Sequence, residues 1–117
     1  MNLEILLLAL LKNGELVDAP DFRDGLGSVY SGGVNSGAKK FNFQIKAVDD
    51  SADWWFDVDV TVCAEYVHDS SGDLDDVVLS DIYVKNLFFY HPDGRYNLTG
   101  NKAFCEFIQE LIDKLWI

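Results

Sequence analysis

The side chains with the most capacity for chemistry are two imidazoles, His68 and His91, two thiols, Cys63 and Cys105, and a dense run of carboxylates. Neither histidine has a second His or a Cys at ligand spacing, and there is no CxxC, so the pattern does not make a zinc site. Cys63 and His68 are separated by an odd number of residues, which on a strand sends them to opposite faces and forbids a thiol–imidazole pair. The expectation is a protein that is not an enzyme and that carries no cofactor. Two cysteines give no disulfide framework; free thiols are the plain reading, although their spacing permits one bridge.

Three further motifs fail on particular residues. "DSSGDLDD" offers oxygen ligands at Asp69, Ser71, Asp73 and Asp75, as the start of a calcium loop does. Leu74 stands where that loop needs glycine, and Ser80 where it needs a bidentate glutamate. In "GLGSVYSGGVNSG" the third glycine of a dinucleotide fingerprint is Tyr30, and no Gly-Lys-Ser/Thr follows. Asn97-Leu98-Thr99 matches a glycosylation sequon but reads as a polar strand end.

The carboxylates remain. From Ala47 to Val84 there are eleven acidic residues and no lysine or arginine. Asp57, Asp59 and Glu65 fall at alternate positions on the outward face of one predicted strand, with neighbours roughly 6 to 7 Å apart. Asp49, Asp50 and Asp53 cluster at one predicted turn, and Asp69, Asp73, Asp75 and Asp76 at another. Carboxylates so arranged repel one another, which favours a role beyond solubility. Trp55 shares the parity of the strand acids, so the pattern predicts an exposed indole among them, a good interface anchor.

The elements that must position these groups follow from periodicity. "FNFQIKAV" from Phe41 alternates, with Phe41, Phe43, Ile45 and Ala47 inward. Residues 54 to 67 alternate throughout: Trp54, Phe56, Val58, Val60, Val62, Ala64 and Tyr66 on one face, polar residues on the other. One apolar and one polar face is the signature of an antiparallel sheet covered on one side. A third strand is predicted over residues 77 to 85, and a tight hairpin over 86 to 98 around Pro92-Asp93-Gly94. "TGNKAFCEFIQELIDKLWI" reads as a helix capped by Asn101 or Thr99, with Phe104, Ile108, Leu111 and Leu115 at helical spacing, widened by Phe107, Ile112 and Trp116. Residues 2 to 13 form a first helix, apolar all round and ended by Gly14 as a C-cap. Between the first helix and the sheet, residues 14 to 38 read as a long glycine-rich connection, broken by a short strand near Leu26 to Tyr30. The predicted fold is α+β: an antiparallel meander of four to five strands with N- and C-terminal helices packed on one face, as one domain over residues 1–117.

Composition agrees with that scale. The chain has 117 residues, 49% hydrophobic and 14% aromatic, enough for one core without staples. The apolar run Ile5 to Leu11 lacks a basic leader and is far shorter than the roughly 20 residues that cross a bilayer, so a cytoplasmic protein is expected. The net charge of −11 opposes direct binding to nucleic acid or anionic membranes and favours a basic protein surface as partner. In size, charge and lack of catalytic motifs the chain resembles the small acidic proteins of phages and prophages, among them anti-CRISPR inhibitors and DNA mimics. That resemblance implies a protein-binding inhibitor that occludes a basic, nucleic-acid-binding surface. The alternatives are an assembly subunit, in which the all-round apolar first helix and the aromatic hairpin over 86 to 98 make the contacts of a homodimer, and a binder of small ligands or cations.

Overall fold

The alternating stretch is the centre of the molecule. In the computed structural model, which describes residues 2–17, 20–47 and 53–116, it forms a strand over Trp55–His68 with Phe56, Val58, Val60, Val62, Ala64 and Tyr66 all buried. Asp49 and Asp50, and the side chains of Leu115 and Trp116, lie outside the described residues. Five antiparallel strands follow chain order across the sheet: β1 (Gly14–Val17), β2 (Ser36–Ala47), β3 (Trp55–His68), β4 (Leu74–His91) and β5 (Gly94–Asn97). Helices α1 (Leu3–Lys12), α2 (Phe22–Ser28) and α3 (Lys102–Trp116) cover the inner face. The α+β meander predicted from the sequence is therefore the fold.

Several local expectations are corrected. The residues predicted as a third strand and the first arm of a hairpin are one 18-residue strand, β4. Against β3 it carries three irregularities, which leave Asp75, Ser80 and Lys85 without a partner in the register. Each extra residue is a β-bulge that switches parity, so the buried positions run Val77, Leu79, then Ile82, then Leu87, Phe89. A strict period of two cannot describe such a strand.

The glycine-rich connection holds β1 and α2 rather than a strand near Leu26. α2 begins at an Asp21 cap whose carboxylate accepts from Asp24 N, and it buries Phe22 and Leu26 completely. Asn13, not Gly14, closes α1, and Gly14 opens β1. At α3 the cap is Asn101, whose side chain accepts from Phe104 N. Thr99 instead accepts from Leu87 N, tying the chain to β4.

The long strands give an extended outline of 59 × 27 × 21 Å. The radius of gyration is 16.6 Å, against roughly 13 Å for a compact chain of this length. Two zones of helix share the inner face. α1 lies against Phe89 and Tyr96 at one end, with Lys12 over the ring of Phe107 from α3. At the other end α2 is held by Tyr66, whose buried hydroxyl donates to Leu26 O at 2.6 Å. Gly37 makes room for that hydroxyl: a Cβ there would sit 2.6 Å from Tyr66 Oη.

Candidate functional site

Register places the outward residues in rows across the helix-free face. Lys46, Trp55, Tyr90 and Arg95 make one row; Gln44, Asp57, Phe88 and Asn97 the next; Asn42, Asp59 and Asn86 a third. Towards the β3–β4 turn follow Lys40, Thr61 and Tyr83, then Ala38, Cys63 and Asp81, then Ser36, Glu65 and Val78. The two ends differ in kind.

At the Trp55 end the face is mixed in charge and rich in aromatics. Trp55 is half-buried, stacked parallel on Tyr90 with centroids 5.1 Å apart and planes at 8°. It is therefore not the exposed indole among acids that parity alone suggests; its neighbours in the row are Lys46 and Tyr90, and Arg95 lies over Phe88 at 4.6 Å. Asp57 and Asp59 are tied down as well. Asn42 Nδ2 donates to Asp57 Oδ1 at 2.9 Å and Asp59 Oδ1 at 2.7 Å, and Asn86 Nδ2 donates to Asp59 Oδ2 at 3.3 Å. One amide bridging two like charges spreads the repulsion between them. Asp53 is exposed just before β3.

Beyond the Tyr83 row the ribbon of β3 and β4 carries Glu65, Asp69, Asp73, Asp75, Asp76 and Asp81, and residues 62–84 contain no lysine or arginine. None of these carboxylates is in an ion pair with lysine or arginine among the described residues, where Lys102–Glu106 is such a pair. Arg23 of α2 faces Asp75 and Asp76 across an open depression on the helix side. The bulges at Asp75 and Ser80 lie in this half and add twist to the ribbon.

Asp69 has a different task from its neighbours. Its Oδ1 accepts from Ser71 N at 2.9 Å and from Asp73 N at 3.0 Å, while Asp69 N donates to Asp73 O at 2.8 Å. The carboxylate shapes the turn, and Gly72 supplies the left-handed residue at φ 86. Asp69→Ala is expected to cost about 1 kcal/mol in urea denaturation. Asp69→Asn should cost far less, because the amide oxygen still accepts; equal losses would refute the turn role.

The remaining candidate chemistry is dispersed. Cys63 is on the helix-free face and Cys105 on α3 beneath the inner face, and both are free. His68 points inward, where Tyr30 Oη lies 2.8 Å from its Nε2. Gly33 N donates to the same hydroxyl at 3.2 Å. Tyr30 in turn packs edge-on against Tyr66 at 4.9 Å, so this group locks the loop after α2 to the ribbon. His91 accepts from Asp93 N in the β4–β5 turn. Among the described residues no three His, Cys, Asp or Glu side chains converge to hold a metal. None of their helices is long and apolar enough to cross a membrane. On α1 the side of the helix away from the core exposes Ile5 at 64% and Leu6 at 44%. No protein-family model, curated protein or solved structure matches this chain.

Proposed function

We propose that this chain is a protein-binding module, an inhibitor that seats the acidic half of its β3–β4 ribbon in a basic, nucleic-acid-binding groove of a partner. The observation that carries the reading is the cation-free stretch over residues 62–84, folded into one projecting ribbon whose six carboxylates form no ion pair among the described residues. Such a field speeds encounter with a basic surface and turns away anionic ones. Glu65, Asp73, Asp75, Asp76 and Asp81 are the contact groups, Asp69 sets the turn, and Trp55, Asp57 and Asp59 border the contact at the mixed end.

The test is capture of partners from a lysate on the immobilised chain, followed by elution with salt and competition with an oligonucleotide. Release by both supports occlusion of a nucleic-acid site. Partners that resist salt and ignore the oligonucleotide would sink it. The exposed stripe on α1 favours a second reading, self-association through that helix. Light scattering at high concentration tests it: a dimer that Ile5→Glu with Leu6→Glu converts to monomer is expected, and a monomer throughout removes it.

A further inference from the structure

A second feature of the helix-free face lies outside the acidic half. The bulge at Lys85 turns that lysine outward beside Asn86, with its ammonium 5.5 Å from the centre of the Tyr83 ring. Bulges commonly serve to re-aim a side chain. Across the sheet, Lys40 and Asn42 approach from β2, and Asp59 lies between them on β3. Together with the Phe41 backbone strand these residues line an open cavity of about 690 Å³, within the size range of small-molecule sites.

The bonding inside the cavity defines what it offers. Both oxygens of Asp59 accept from amides, so the central carboxylate is already engaged. Because Asn42 and Asn86 turn their NH2 groups to Asp59, their amide oxygens are left as acceptors without a donor among the described residues. Lys40 and Lys85 form no ion pair among those residues, on a chain whose net charge is −11. The site thus presents two ammoniums outside any ion pair and two amide carbonyl acceptors, around one carboxylate whose oxygens already accept from amides.

We infer that this cavity binds a small anion that also carries hydroxyl groups, of the sugar phosphate or sugar acid class. The anionic group pairs with Lys40 and Lys85, and the hydroxyls donate to Asn42 and Asn86.

The experiment is an amide NMR titration of the full chain with glucose 6-phosphate, gluconate, glucose and inorganic phosphate in turn. Saturable shifts confined to residues 40–42, 59 and 85–86 are expected with glucose 6-phosphate or gluconate, and which of the two binds more tightly distinguishes phosphate from carboxylate. Glucose and inorganic phosphate alone should bind at least about tenfold more weakly, since each satisfies half the site. Lys40→Ala and Lys85→Ala should each weaken binding about tenfold. Both lysines are exposed, so these variants fold, and an unchanged spectrum elsewhere verifies it. No saturable shift with either anion, or shifts spread equally over lysines elsewhere, would overturn the assignment. So would equal affinity for glucose or for inorganic phosphate. This inference is independent of the ribbon proposal, because the titration reads the cavity with no protein partner present.

Discussion

Changing Asp73, Asp75 and Asp76 together to asparagine is expected to weaken capture of the basic partner about thirtyfold, as three rim charge pairs of about 0.7 kcal/mol each imply. The salt dependence of binding should flatten in parallel, since these are the charges whose screening it reports. All three side chains are exposed and none forms an ion pair among the described residues. Their backbone contacts differ: Asp76 Oδ1 accepts from Val77 N, which the amide oxygen of asparagine can also do. Removing like charges from one ribbon relieves repulsion, so thermal stability should hold or rise while binding falls. That opposition is the diagnostic, because a structural role would lower both. A matching Asp57→Asn, Asp59→Asn variant should change binding little, since Asn42 and Asn86 already engage those carboxylates. Partner affinity that follows the second pair instead of the three tip residues would move the contact to the aromatic end.

Gly37→Ala is the second large effect, about 3 kcal/mol of stability. The added methyl would meet Tyr66 Oη at 2.6 Å, Cε2 at 3.0 Å and Cζ at 3.2 Å. Tyr66 is only 5% exposed, so its ring has nowhere to retreat. Displacing it strips Leu26 O of its donor, costing about 1 to 3 kcal/mol, and overpacks the site by a similar amount. The stiffer unfolded chain returns less than about 1 kcal/mol. Tyr66→Phe removes the same hydrogen bond and clears the nearest clashing atom. The two changes should therefore be strongly non-additive in a double-mutant cycle read by urea denaturation. Additive losses, or a Gly37→Ala cost below about 0.5 kcal/mol, would mean that the ring is not held where its bond to α2 requires.

The sequence displays some of these features openly and conceals others for definable reasons. β3 is legible because its inward set from Phe56 to Tyr66 is unbroken, and that same parity aims Asp57, Asp59 and Glu65 at the helix-free face. β4 is not, because three bulges change its phase and split one strand into apparent pieces. α2 is hidden by Gly25 and Gly27, poor helix formers whose cost is met by the Asp21 cap and the burial of Phe22 and Leu26. The composition of the candidate site needs strand order, which periodicity does not give. Lys40, Lys46 and Arg95 lie outside the cation-free window in sequence, yet pairing brings them onto its face. Pairing likewise sets Asn42 and Asn86 beside Asp57 and Asp59, whose carboxylates they engage. The stacking of Trp55 on Tyr90, 35 residues apart in sequence, was invisible for the same reason.

The bulges on β4 also bear on how this chain can change length. At Ser80, deletion of the residue would leave Leu79 inward, Asp81 outward and Ile82 inward, the regular ladder against Ala64, Cys63 and Val62. Loss of Asp75 or Lys85 would do the same at its own position, and no downstream side chain would exchange the core for water. Most single deletions in a paired strand turn everything beyond them inside out. This ribbon instead holds three points of slack, where its reach and curl can be adjusted one residue at a time while the core stays as it is.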